Sequence, residues 1–186
     1  MCTYLAKNNI PVINADEVYH SLLVKSSPCT LALADEFGTE ILSPDGTPDR
    51  KKLGAIVFSS EEKLKKLNSI VLKFVIDEIN EMIKRLELGG EARVVLDAPT
   101  LIESGFNKEC DAVISVLSPK QTRIERIRER DNISRDDALL RVNAQKSDEF
   151  YIENSDYVIM NEADTAALIS AVNEIFDRIE NGGADE

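Results

Sequence analysis

Two short segments of the chain, RVVLDAP at residues 93–99 and DAVISVLS at residues 111–118, are apolar runs with almost no polar interruption. Such runs are typical of parallel β-strands that are covered on both faces. The segments PVIN at residues 11–14 and DYVIM at residues 156–160 also predict strands. Helical patterns lie between these strands. Strands that alternate with helices predict an α/β fold, with a parallel sheet and helices on both of its faces.

The helical patterns account for most of the remaining chain. The longest covers about residues 61–86, where apolar side chains recur with a period near 3.6. Pro28 begins another helix, which ends at Gly38, and Ser134 and Asp137 have the spacing of a capping box. Further helices are predicted over residues 1–8, 15–24, 50–58, 119–131, 134–145 and 164–179.

The length of 186 residues suits one domain, and the sequence contains neither repeats nor a low-complexity linker. We therefore expect residues 1–186 to form a single domain, with a frayed tail at 181–186. No apolar run approaches the ~20 residues of a membrane-spanning helix, and the first residues lack the apolar region of a signal peptide. Three widely spaced cysteines argue against a disulfide framework and favour the reducing cytoplasm. One histidine and scattered cysteines predict no zinc site.

The formal net charge of the chain is −12. Proteins that bind nucleic acids usually present a basic face, so we expect no nucleic-acid partner. Residues 119–141 differ from the rest of the chain, because they hold seven basic and five acidic side chains, a net charge of +2. This segment could attract a small anionic ligand.

Three arginines of this segment, Arg123, Arg126 and Arg130, lie on one side of the predicted helix. Arginine binds phosphate oxygens in a bidentate manner, so the helix is a candidate phosphate-binding element. The alternative is a solvated face on which the arginines pair with Glu125 and Glu129. For Arg123 we favour that alternative.

Asp16 comes directly after the first predicted strand. In open α/β sheets, ligands bind at the carboxyl ends of the strands. A carboxylate there can accept a proton from a substrate hydroxyl, or bind Mg²⁺ through water. The alternative, which we favour for Asp16 taken alone, is a cap for the helix that follows.

Two acids lie in the segment VVLDAPTLIESG, residues 94–105. Asp97 ends a predicted buried strand, where an unpaired charge is costly, so we expect a ligand, a metal or an arginine to pair with it. The alternative is a partner within the turn. Glu103 is the second acid. Asn161 follows the last strand, where a polar side chain can contact the edge of a base, although without further context a turn residue is the favoured interpretation.

Six segments together resemble the dephospho-CoA kinases, a family of P-loop kinases of the nucleoside-monophosphate-kinase type. In chain order they are PVINAD, DGTPDRKKLGAIVF, KLKKLNSIV, VVLDAPTLIESG, RIERIRERD and DYVIMN, and they span nearly the whole chain. The resemblance implies a P-loop kinase fold with a lid at about residues 119–150. It also implies transfer of the γ-phosphate of ATP, with Mg²⁺, to the ribose 3′-hydroxyl of dephospho-CoA, the last step of CoA synthesis.

The resemblance implies roles for individual residues as well. Asp16 corresponds to the general base, and Arg126 to the arginine that stabilises the transferring phosphoryl group. The other candidates correspond to residues that bind substrates: Asp97 and Glu103 on the acceptor side, Arg130 near the phosphates, and Asn161 near the adenine.

The sequence departs from the family pattern in three places. Asn14 replaces an acid, which predicts weaker metal organisation but no loss of the base. Leu72 and Lys73 stand where the family commonly has His-Pro. The 186 residues contain no G-x-x-x-x-G-K-[ST] segment, which in P-loop kinases holds the phosphates and Mg²⁺. We expect the codons before Met1 to encode a strand and this loop, and we expect the 186 residues alone to be inactive.

Three other functions stay open on the sequence alone. The chain could be a non-catalytic remnant that still binds a CoA-like ligand. It could be a kinase of the same fold that acts on a nucleotide, although DAPTLIESG argues against this. It could also be an interaction protein that uses the long helix, with its acids and arginines merely solvated.

Overall fold

A computed structural model describes residues 1–162 and 165–182 of the chain. The structure has two compact units, one formed by Cys2–Thr100 and the other by Leu101–Glu186 with Met1. Residues 183–186 of the predicted frayed tail lie outside the described residues, and Asn181 and Gly182 form a turn. Within the described ranges, no helix is both long and apolar enough to cross a membrane.

The Cys2–Thr100 unit contains a parallel strand pair, five α-helices and a short 3₁₀ helix (Thr39–Ile41). Its elements are α1 (Cys2–Lys7), β1 (Val12–Asn14), α2 (Ala15–Leu22), α3 (Pro28–Phe37), α4 (Arg50–Val57), α5 (Glu61–Leu88) and β2 (Val95–Asp97). β1 and β2 are parallel, with Val12 beside Val95 and Asn14 beside Asp97. The carboxyl ends of both strands therefore lie next to each other.

The core of this unit joins α3, α4 and α5. Its buried side chains are Cys29, Leu33, Phe37, Ile41, Leu53 and Val57, and those packed against them from α5 include Leu64, Leu67, Val71 and Phe74. The α5 residues lie on the apolar side that the sequence period predicts. Gly38 ends α3 at a φ of +92°, a conformation that a side chain would strain. Burial of each large apolar side chain contributes about 1.5–3 kcal/mol, so this cluster fixes α4 firmly against α5.

The Leu101–Glu186 unit also contains a parallel strand pair. A short 3₁₀ helix (Phe106–Glu109) precedes β3 (Ile114–Leu117), α6 (Lys120–Asp131), α7 (Arg135–Asn143), α8 (Asp148–Glu153), β4 (Tyr157–Met160) and α9 (Thr165–Glu180). β3 and β4 are parallel, and Leu117 lies beside Met160 at their carboxyl ends. Ile124 of α6 is buried with Ala138 and Val142 of α7, so these two helices form a small core of their own.

The structure confirms most of the predicted elements and corrects two expectations. All four predicted strands form, in two parallel pairs, and Ser134 caps α7 by accepting from the N–H of Asp137, as its spacing predicts. The strand β2 is half-buried at each of its three positions, and Val116 of β3 is exposed, so neither strand is fully covered on both faces as predicted. Helix α8 was not predicted, because six residues are too few to establish a helical period. The available signal was Ser147, which caps α8 ahead of two acids in its first turn.

Candidate active site

The side chain that caps α2 is Asn14, not Asp16. The Oδ1 atom of Asn14 accepts hydrogen bonds from the backbone N–H groups of Asp16, at 2.9 Å, and of Glu17, at 3.1 Å. The interpretation of Asp16 as the cap is therefore wrong. Asp16 is exposed, and no described residue donates a hydrogen bond to its carboxylate. This carboxylate is free to act on a ligand.

Asp97 lies beside Asn14 at the end of the strand pair and is half-buried. Its partner is the Cys2 thiol of α1, with which it forms a side-chain hydrogen bond. Burial, this hydrogen bond and the charge of Asp97 together raise the pKa of Cys2 to about 11. The expected partner was a ligand, a metal or an arginine. A thiol meets the same need, because it donates a proton to a carboxylate at the edge of the apolar interior.

Arg50, to which the sequence interpretation gave no role, lies close to α2. It occupies the first position of α4, after the capping residue Asp49, and its Nη2 lies 2.9 Å from Nδ1 of His20. Since arginine is always a donor, this ring nitrogen is the acceptor. His20 lies one helical turn after Asp16, on the same side of α2. The contact therefore holds a cation against the side of α2 that carries the candidate base.

In the Leu101–Glu186 unit, the structure brings two candidate residues together. The Nη2 atom of Arg126, on α6, donates to the backbone oxygen of Asn161 at 3.4 Å. Asn161 follows β4, and its N–H donates to the Leu117 oxygen of β3 at 2.7 Å. The end of the strand pair therefore holds Asn161, and Asn161 in turn holds the exposed Arg126 guanidinium at that edge.

The Arg130 guanidinium forms an ion pair with its sequence neighbour, Asp131. Its Nε and Nη2 atoms lie 2.7 and 3.0 Å from the two carboxylate oxygens of Asp131, which also binds Arg141. The hydrogen bond from Arg130 lowers the pKa of Asp131. The Arg130 side chain is 72% exposed. Because its arginine is so exposed, this ion pair contributes little to stability, and a phosphate can replace the carboxylate at little cost.

Arg123 does not belong to a solvated face, and that expectation is wrong. Its side chain is only 20% exposed, and its Nη2 lies 3.0 Å from Oδ1 of Asp148, at the start of α8. The pairing with Glu125 belongs instead to Arg128, at 2.6 Å. The three arginines on one side of the helix therefore differ: Arg123 is structural, whereas Arg126 and Arg130 are exposed.

Glu103, the second acid of the segment VVLDAPTLIESG, has a partner on α8. The hydroxyl of Tyr151 donates to its Oε1 at 2.7 Å. Burial, together with this hydrogen bond and the charge of Glu103, raises the pKa of Tyr151 to about 12.

Leu72 and Lys73, where the family commonly has His-Pro, are exposed on α5.

A profile of the dephospho-CoA kinase family matches residues 1–167 of the chain. The chain is 39% identical over 154 residues to a dephospho-CoA kinase of Bacillus cereus (strain ZK / E33L). The aligned residues cover 83% of this chain and 77% of that protein. It is 32% identical over 176 residues to a dephospho-CoA kinase of Lactobacillus johnsonii, covering 95% of this chain and 89% of that protein.

Two solved structures resemble the fold. A crystal structure from Thermus thermophilus matches with a TM-score of 0.79 and 26% identity, over 96% of this chain and 89% of that chain. A dephospho-CoA kinase from Campylobacter jejuni matches with a TM-score of 0.69 and 24% identity, over 97% and 90%. These likenesses confirm the predicted fold class.

Proposed function

The chain belongs to the dephospho-CoA kinase family, and from this we propose that its reaction is the phosphorylation of the ribose 3′-hydroxyl of dephospho-CoA by ATP. We place this activity in the cytoplasm, in keeping with the free thiols of Cys2, Cys29 and Cys110. We further propose that residues 1–186 act as one kinase domain, in which residues 119–150 form the lid.

The observation that carries the proposal is the free carboxylate of Asp16 at the start of α2. Asn14 satisfies the N–H groups of the first turn, so Asp16 is not needed as a cap. In the proposed step, Asp16 accepts the proton of the 3′-hydroxyl while the oxygen attacks the γ-phosphorus of ATP. The bond from that phosphorus to the β–γ bridging oxygen breaks, and ADP leaves. General base catalysis of this kind typically contributes about 10²–10⁴-fold.

Arg126 supplies positive charge to the phosphoryl group in this proposal. Its one hydrogen bond among the described residues, to the Asn161 oxygen, is long at 3.4 Å, and its guanidinium is exposed. Most of its donors are therefore available to phosphate oxygens. An arginine in such a position accelerates phosphoryl transfer by about 10³–10⁵-fold.

We assign the remaining candidates to substrate binding. Asp97 and Glu103 contact the acceptor, Arg130 exchanges its partner Asp131 for a phosphate of ATP, and Asn161 contacts the adenine. The side-chain amide of Asn161 is unoccupied among residues 1–162 and 165–182, which supports this last role.

The residues present fit a Mg²⁺ ion that is bound mainly by the phosphates of the substrate. Asn14 uses its side-chain oxygen as a cap, and the described residues contain no cluster of three or more His, Cys, Asp or Glu side chains that could hold a metal. Mg²⁺ commonly binds through one or two carboxylates, several waters and substrate phosphates, so the Asp16 carboxylate would contact the ion through a bound water and remain available as the base. When bound, the ion would neutralise charge on the phosphates.

Product analysis tests the proposed reaction. A form of the enzyme that carries the family's phosphate-binding loop is incubated with ATP and with either dephospho-CoA or a nucleoside monophosphate. We expect CoA as the product by mass spectrometry, with release of ADP. Phosphorylation of the nucleoside monophosphate and not of dephospho-CoA would show that the acceptor is wrong. Calorimetric titration of the 186-residue chain with dephospho-CoA measures acceptor binding separately.

A further inference from the structure

Helix α8 places the hydroxyl of Tyr151 against the acceptor-side carboxylate of Glu103. The two residues are 48 positions apart in the chain, and their hydrogen bond of 2.7 Å involves only the Oε1 atom of Glu103. No described residue donates to Oε2, which lies on an exposed side chain. Glu103 therefore has one oxygen that is held and one that is free for a ligand.

The Tyr151 ring is itself held by its surroundings. Ser147 caps α8 by accepting from the N–H of Phe150, and α8 packs against β3. The rings of Phe150 and Tyr151 meet edge to face, at 5.4 Å between centroids and 80° between planes. Lys146 lies 5.6 Å from the centroid of the Phe150 ring, within the range of a cation–π contact. These contacts limit the directions in which the Tyr151 hydroxyl can point.

A second contact ties the same helix to α6. Asp148, in the first turn of α8, pairs with Arg123 at 3.0 Å, and the Arg123 side chain is only 20% exposed. Arg123 lies one turn before Arg126 on α6. Helix α8 is therefore joined to α6 by the Arg123–Asp148 ion pair and to Glu103 by the hydrogen bond from Tyr151.

We propose that Tyr151 is a positioning residue, which orients the Glu103 carboxylate so that its free oxygen accepts a hydrogen bond from a hydroxyl or N–H group of the phosphoryl acceptor. This inference rests on the proposed function, since it takes Glu103 as an acceptor-binding residue. A glutamate without such a partner must lose its rotamer freedom when the ligand binds. With Tyr151 in place, much of that ordering is complete before binding.

The test measures the Kd for dephospho-CoA and, separately, for ATP by calorimetry in a Tyr151→Phe variant. This change removes the hydroxyl and keeps the ring. The matched control is Tyr157→Phe on β4, because the Tyr157 hydroxyl has no hydrogen bond within the described part of the chain. We expect Tyr151→Phe to weaken dephospho-CoA binding by about 2- to 10-fold, the cost of ordering one side chain, and to leave the Kd for ATP unchanged. The control should change neither.

A Glu103→Ala background separates positioning from a general structural role. Once the carboxylate is absent, adding Tyr151→Phe should leave the Kd for dephospho-CoA unchanged. The inference fails if Tyr151→Phe weakens dephospho-CoA binding equally with and without the Glu103 carboxylate, or if it weakens ATP binding to the same extent. It also fails if Tyr151→Phe alone does not weaken dephospho-CoA binding. In each of these cases the proposed function stands. If the wild-type chain binds no dephospho-CoA, the proposed acceptor and this inference both fail.

Discussion

Asn14 accepts a hydrogen bond from the backbone N–H of Asp16 at 2.9 Å, and so it takes the capping role at the start of α2. Asn14 ends β1 and Asp16 lies in the first turn of α2, but the two residues have separate tasks. The amide oxygen completes the helix, and the carboxylate one turn before His20 is left without a described donor. The stability of α2 and the proposed proton transfer can therefore be altered independently.

Replacement of Asn14 by alanine should lower the free energy of unfolding by about 0.5–2 kcal/mol, because two backbone N–H groups lose their acceptor. Urea unfolding followed by circular dichroism measures the change. Asn14→Ser is the matched control, since serine is also a favoured cap and should retain most of the stability. Equal stability of Asn14→Ala and the wild type would show that this cap contributes nothing.

Replacement of Asp16 by asparagine should lower turnover by about 10²–10⁴-fold, because the amide cannot accept the proton of the acceptor hydroxyl. The Kd for dephospho-CoA should change little. The assay is coupled ADP release, in a form of the enzyme that carries the family's phosphate-binding loop. The neighbouring exposed acid Glu17, changed to glutamine, is the control and should keep near-normal turnover. Near-normal turnover of Asp16→Asn would exclude Asp16 as the base.

Replacement of Arg126 by lysine should reduce turnover by about 10³-fold, although the charge is kept. An ammonium group is a point charge and cannot contact two phosphate oxygens in the planar arrangement of arginine. The same coupled assay measures the effect, and Lys120→Ala at the exposed first position of α6 serves as the control. If Arg126→Lys and the control had the same turnover, Arg126 would have no role in the transfer.

The stability of the fold should depend on pH through Cys2. Folding raises the pKa of this thiol from 9.0 to about 11, so the folded state keeps a proton that the unfolded state has lost. The resulting stabilisation is complete below about pH 9 and is lost as the pH rises through about 11. We expect a loss of about 1 kcal/mol, after allowance for the partial exposure of the thiol.

The Cys2→Ser variant supplies the control for this dependence, because a serine hydroxyl can still donate to Asp97 but does not titrate in this range. Urea unfolding of both proteins at intervals between about pH 8.5 and 11 gives the difference in free energy. The free energy of unfolding of the wild type should fall relative to that of Cys2→Ser as the pH rises. A difference that is constant across the range would rule out the contribution of Cys2.

Replacement of Asp148 by alanine should destabilise the fold by about 1–2 kcal/mol, because it leaves the largely buried Arg123 guanidinium without its acidic partner. Thermal and urea unfolding measure the change. Glu153→Ala, at the exposed end of the same helix, should stay within about 0.5 kcal/mol of the wild type. If both variants unfolded alike, the Arg123–Asp148 pair would make no net contribution.

The order of strands and helices, and most helix ends, could be predicted from the sequence. Pro28 and Gly38 bound α3, and Ser134 caps α7, because each of these contacts joins residues a few positions apart. Local contacts leave a local pattern, which can be recognised without the fold. The family motifs are likewise short segments, and they pointed to the family that the comparisons show. Among the described helices, α8 and the two 3₁₀ helices, Thr39–Ile41 and Phe106–Glu109, were not predicted, because each is too short to show a helical period.

The partners of the charged and polar side chains were decided by the tertiary structure. Arg123 pairs with Asp148, Glu103 with Tyr151, and Asp97 with Cys2, across 25, 48 and 95 positions of the chain. A sequence shows which side chains can form hydrogen bonds or ion pairs, but the available partners outnumber the contacts that form. Only the packing of the folded chain brings one distant partner within hydrogen-bonding range and leaves the others in solvent, and a hydrogen bond weakens steeply outside that range.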